Sequence, residues 1–137
     1  MDTFQVHILA ADKNFYEGPC LSLTVPTNDG ELGILAHHSN MSAAIQPGTL
    51  RYQTPGEEPC LAATSAGMVK VEHNDVLVLV DSVERPEEID AARAQRELDE
   101  AREIILQKRS RQEHKIAEAA MARALNRLRV KNMGIGR

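Results

Sequence analysis

The sequence predicts an α+β protein, with an N-terminal antiparallel β-sandwich or flattened barrel over residues 1–85 and an antiparallel two-helix hairpin over residues 86–137. Two observations predict it, and a third falls at the same boundary. All six prolines and six of the eight glycines lie at or before Pro86, and no helix breaker follows until Gly134. Apolar residues alternate with period two before that boundary and step by three and four after it. The charge divides at the same place: residues 1–86 carry four basic residues against eleven acids, a net of −7, and residues 87–137 carry twelve against nine, a net of +3.

In the first part, Phe4, Val6 and Ile8 alternate with Thr3, Gln5 and His7, the pattern of a half-buried strand. Leu21, Leu23 and Val25 repeat it, and Pro26 is expected to stop that strand. Met68–Glu72 leads through His73-Asn74-Asp75 into Val76–Val80, a hairpin whose turn residues tolerate positive φ. Asn28-Asp29-Gly30, Pro47-Gly48 and Thr54-Pro55-Gly56 supply further turns. Short strands at this spacing imply a sandwich or barrel.

Pro86 fits a first helical turn, where its missing N–H costs nothing, and Glu87, Glu88 and Asp90 suit the positive helix end. Ala91, Ala94, Leu98, Ala101 and Ile105 form one coiled-coil-like seam; Ala117, Met121, Ala124 and Leu128 form a second. The polar stretch Lys108–Glu113 is the expected turn between them, with one unbroken helix as the alternative. A seam lined by alanine buries few methylenes, each worth about 0.8 kcal/mol, so a hairpin able to come apart is expected.

Composition narrows the function. Aromatics are 3% of the chain and Trp is absent, which argues against a base-stacking nucleic-acid surface. The N-terminus lacks a signal-peptide pattern, and Val76–Val80 is too short to span a bilayer, so a soluble chain is expected. Cys20 and Cys60 read as small buried thiols. From Lys108 onward nine basic residues face two acids, a net of +7, so the tail should meet an acidic partner. His37-His38 with Ser39 has no companion ligands at metal spacing, and Asn28–Gly33 reads as a turn without the strand–glycine loop–helix context of a phosphate site. No catalytic set and no metal site emerges. A basic helix tracking nucleic-acid phosphates and a stand-alone ATP sensor are the rival readings.

Gly30-Glu31-Leu32-Gly33-Ile34, His37-His38, and Ile45-Gln46-Pro47-Gly48 together resemble the signature of the epsilon subunit of F-type ATP synthases. Ile89-Asp90-Ala91-Ala92-Arg93-Ala94 resembles the opening of that family's helical hairpin, and Ala124–Val130 the end of its second helix. The resemblance spans the chain. It implies a non-catalytic stalk subunit, peripheral at the cytoplasmic face of the membrane. Its expected partners are the gamma subunit, the c ring and the catalytic beta subunits, with no nucleic acid. Glu31 then faces the c ring from an exposed loop, and His38 lies near gamma. Asn40 stands where the family usually has proline.

The same resemblance implies that the helices inhibit ATP hydrolysis when they extend along gamma, with Arg123, Arg127 and Arg129 turned to acidic segments of the catalytic subunits. No cofactor is required. Some relatives in this family bind regulatory ATP in the folded hairpin, which here maps onto Ile89, Asp90, Arg93, Ala94, Arg123 and Arg127. Guanidinium groups suit phosphate because they bind it bidentately and stay charged. Glu100, however, replaces a phosphate-contacting arginine, and a carboxylate repels a triphosphate. The alternative role for these residues is helix packing and interhelix salt bridging.

Overall fold

A computed structural model of the chain describes residues 2–107 and 110–135. It divides into two compact units, Met1–Glu84 and Arg85–Arg137.

The first unit contains ten strands: β1 (Phe4–Ala10), β2 (Lys13–Cys20), β3 (Ser22–Thr27), β4 (Gly30–Leu35), β5 (Met41–Ile45), β6 (Gly48–Gln53), β7 (Cys60–Thr64), β8 (Gly67–Glu72), β9 (Asp75–Val80) and β10 (Val83–Glu84). They form two five-stranded sheets, ordered β2-β1-β9-β8-β5 and β10-β7-β6-β3-β4. The strand pairs are antiparallel except β1 with β9, which run parallel from Gln5 opposite Asp75 to Ala10 opposite Val80.

Alternation places Val6, Ile8, Val69, Val71, Val76 and Val78 of the first sheet in one core with Leu23, Val25, Ile34 and Leu50 of the second. Branched aliphatics fit this pleated interior because their restricted χ1 already suits an extended backbone. Three of the four aromatic rings gather at one place. Tyr52 of β6 meets Phe15 edge-on with centroids 5.9 Å apart and Tyr16 of β2 at 5.6 Å, joining the sheets.

The β8–β9 turn is tight. His73 and Asn74 have φ of 51° and 62°, so both residues take the left-handed form expected of a two-residue hairpin. Two expectations for the strands of this unit change. Pro26 does not stop β3, which continues to Thr27; the β6 ladder already ends at Thr24, so the missing N–H removes no bond on that side. Gly30–Leu35 is a strand at the sheet edge and not a loop, paired along β3 from Thr27–Gly30 to Ser22–Leu35.

Cys20 is fully buried, with its thiol donating to the carbonyls of Ser22 (3.0 Å) and Gln53 (3.3 Å). Burial pushes that thiol above its ordinary range, against the weaker pull of the backbone hydrogen bonds. Cys60 is only half-buried, contrary to the expectation of two buried thiols. Because the thiolate is the nucleophile, a native-state alkylation time course should label Cys60 first, and Cys20 only as the protein unfolds. Equal native rates at both cysteines would contradict this burial.

The second unit opens with a single 3-10 turn, Pro86–Glu88, closed by a hydrogen bond from the Arg85 backbone N–H to the Glu88 carboxylate at 3.0 Å. Helix α1 (Ala91–Leu106) begins later than expected, because Asp90 takes the cap position and accepts the Arg93 backbone N–H at 3.1 Å. Pro86 therefore starts the 3-10 turn and not α1. Helix α2 spans Arg111–Ile135. Arg111–Glu113, expected in the turn, form its first helical turn, with the Ser110 hydroxyl accepting the Glu113 backbone N–H at 3.2 Å. Lys108 and Arg109, which belong to the expected turn and basic tail, lie outside the described residues, as does Arg137.

The two helices pair antiparallel, since Glu97 meets Arg127 and Lys131 reaches the Pro86 carbonyl (3.0 Å). Ala94, Leu98 and Ala101 of α1 and Ala117, Ala124 and Val130 of α2 are buried. Ala91, Ile105, Met121 and Leu128, the remaining seam positions, are half-buried.

Candidate functional site

The residues singled out for function fall into two groups, one in each unit. In the sandwich, Glu31 is exposed near the start of edge strand β4, opposite Pro26. It borders a surface cleft of about 430 Å³ with Thr27, Asp29 and Met41. His38 follows the other end of the strand, its backbone N–H bonded to the Leu35 carbonyl at 3.2 Å and its Nδ1 lying 2.9 Å from the Ser39 carbonyl. An extended strand advances about 3.3 Å per residue, so β4 holds these two positions apart.

His37, at φ 65°, donates its backbone N–H to the Asn74 side chain at 2.6 Å; Asn74 in turn donates to the Thr3 carbonyl at 3.0 Å. Asn40 accepts the His73 backbone N–H at 3.0 Å. The two asparagines thereby tie the left-handed β8–β9 turn to the segment after β4. A proline at position 40 offers no side-chain acceptor for that bond, and sequence reasoning registered only the departure, not its use. Among the described residues no group of three or more His, Cys, Asp or Glu could hold a metal ion.

In the hairpin, the motif around Asp90 is accounted for by the start of α1. Asp90 caps the helix, Ile89 is buried with its N–H bonded to the Pro86 carbonyl at 3.2 Å, and Ala94 is buried. Both nominated arginines nearby converge on one carboxylate. Arg93 Nε donates to Glu97 Oε1 at 3.1 Å, and Arg127 Nη1 donates to Glu97 Oε2 at 3.2 Å. Arg93 is 65% exposed, and an (i, i+4) pair at such exposure contributes about 0.3–0.5 kcal/mol. Arg127, at 19%, is the more sheltered partner, and its bond crosses between the helices.

Glu97 was not singled out from the sequence. Its signal was its place four residues after Arg93, the spacing at which opposite charges meet on a helix. Arg123 and Arg129 are exposed. Arg123 lies one turn before Arg127 and lines a cavity of about 420 Å³ between the helices, with Ala101, Ile104, Ile116, Ala117 and Ala120 as its apolar part. Glu97, Glu100 and Glu113 also line it, and of these Glu97 is already held by Arg93 and Arg127. Of the residues nominated for ATP, Arg123 alone lines this cavity.

The sandwich, residues 3–86, matches the family described as ATP synthase, Delta/Epsilon chain, beta-sandwich domain, and residues 87–132 match its long alpha-helix domain. The chain belongs to the ATP synthase delta/epsilon chain family. Its resemblance to bacterial epsilon chains is equally direct. It is 40% identical over 129 residues to the ATP synthase epsilon chain of Caldanaerobacter subterraneus subsp. tengcongensis, covering 93% of both chains. To that of Ruminiclostridium cellulolyticum it is 34% identical over 132 residues, covering 96% of this chain and 98% of the other. A chain in the cryo-EM structure of the Euglena gracilis mitochondrial ATP synthase (OSCP/F1/c-ring) shares the fold, with a TM-score of 0.78 at 24% identity, covering 88% of this chain and 76% of that one. Membership of this family carries the reading of a non-catalytic ATP synthase subunit. No helix among the described residues is long and apolar enough to cross a membrane.

Proposed function

We propose that this epsilon chain couples the gamma subunit to the c ring in the central stalk and restrains ATP hydrolysis through rearrangement of α1 and α2. The sandwich is the docking unit, offering Glu31 to the c ring and His38 to gamma from the two ends of β4. The helices are the regulatory unit. Arg123, Arg127 and Arg129 on α2 are the cations that would meet acidic segments of the catalytic beta subunits, with charge complementarity steering and registering the extended form. The complex places the chain at the cytoplasmic face of the membrane, peripheral and touching lipid only through its partners.

The observation that carries this reading is the small-residue seam. Ala94, Ala101, Ala117 and Ala124 are all at most 3% exposed, yet each brings a single methyl group to the interface. Such packing brings helix backbones close without a large burial term to hold them, so a competing surface can displace one helix from the other.

The test uses an epsilon-depleted catalytic complex from the same organism. Full-length chain is expected to lower the rate of ATP hydrolysis. Chain truncated after Arg85 is expected to bind and leave the rate unchanged. Binding of both forms without inhibition would remove the regulatory part of the proposal; failure of both forms to bind would remove the whole of it.

A further inference from the structure

The cluster Arg93–Glu97–Arg127 has a meaning of its own. Two guanidinium groups, one from each helix, close on the two oxygens of a single carboxylate at 3.1 and 3.2 Å. This is how two arginines hold a phosphate, with one anion bridging two cations through separate oxygens. Here the anion is covalently part of α1. The adjoining cavity adds Glu100 and Glu113 beside Glu97.

We propose that Glu97 is a built-in anion that joins the two helices in the place a bound phosphate would take, so that the hairpin closes without nucleotide and does not respond to it. A tethered carboxylate is always present at high effective concentration, whereas a free nucleotide must displace it and also pass the carboxylates of Glu100 and Glu113. The folded hairpin is then set by sequence, and its opening is governed by competing protein surfaces and not by the ATP concentration. For its biological meaning the proposal rests on the regulatory role of the hairpin. The two fail separately, because nucleotide binding is measured on the isolated full-length chain and inhibition on the complex.

The experiment titrates MgATP, and inorganic triphosphate in parallel, into the full-length chain while amide resonances of α1 and α2 are followed by NMR. The wild-type chain is expected to show no saturable shift at millimolar nucleotide. Glu97→Gln combined with Glu100→Gln is expected to bind both probes with an affinity higher by about tenfold or more, since two like charges no longer oppose the anion. Saturable wild-type binding in the hairpin overturns the proposal. So does a double variant that folds and still binds nothing, because the carboxylates would then not be what excludes phosphate. Should the double variant lose its helical signal, Glu100→Gln alone decides. It leaves the Arg93–Glu97–Arg127 cluster intact and is expected to remain unresponsive; binding by that variant overturns the role of Glu97.

Discussion

Ile8→Ala is expected to lower the stability of the sandwich by about 2–5 kcal/mol, the range for truncating a large aliphatic in a packed interior. Ile8 has no exposed surface and sits between Tyr16 on β2 and Val78 on β9. Both neighbouring strands are hydrogen-bonded to β1, so the backbone cannot collapse far into the space that is left. At roughly 4–8 °C per kcal/mol for a domain of this size, the midpoint of thermal unfolding should fall by at least about 8 °C. The chain has only two tyrosines, Tyr16 and Tyr52, and both lie in the sandwich. Tyrosine fluorescence in a urea titration therefore reports this unit. The transition should move to lower urea with its slope retained; a loss under about 1 kcal/mol would mean that the core closes over the gap.

Ala124→Leu is expected to act in the opposite sense, by overfilling. Ala124 is fully buried, in a hairpin whose other buried positions include Ala94, Ala101 and Ala117. Three further carbons can be accommodated only by moving the helices apart, at a cost of about 1–3 kcal/mol. A hairpin with so little apolar burial has about that much to lose. Far-ultraviolet ellipticity, which follows the helices, should fall or melt early, while the tyrosine transition stays where it was. Unchanged ellipticity and an unchanged melting profile would show that the seam has slack.

The strand alternation of Phe4, Val6 and Ile8 was legible because every second residue is both apolar and buried. The β8–β9 turn was legible because His73-Asn74 names its own backbone geometry. Strand β4 was not. Two glycines and Glu31 interrupt its pattern, and its Leu35 is 64% exposed, so an edge strand resembled a loop. The continuation of β3 through Pro26 depended on where its neighbour's ladder ends, which is a fact of register and not of residue type. In the hairpin the seams were readable from spacing alone, whereas the start of α1 depended on Asp90 outcompeting Pro86 as the entry point.

Arg93 and Arg127 were nominated through the family resemblance, with interhelix salt bridging as the alternative. Their shared partner in the folded hairpin, Glu97, came to light only when the pairing of the helices was known. A sequence shows which residues are cations; which anion answers them is decided by the register between α1 and α2. The role of Asn40 was hidden for the same reason, because its partner His73 is thirty-three residues away.

The parallel pairing of β1 with β9 also sets an order in time. As the chain leaves the ribosome, β1 has its downstream neighbour β2 almost at once, but its other neighbour arrives about seventy residues later, with Val6 waiting for Val76. The first sheet is completed only after nearly the whole sandwich has been synthesised, and contacts so distant along the chain make folding slow. Until then one side of β1 is an open template for pairing with other nascent chains. The hairpin, emerging after the sandwich and built from contacts nearer in sequence, can form on a shorter timescale. A ribosome stalled before Asp75 would thus release a fragment with β1 unpaired on one side, the product that cellular quality control would have to remove.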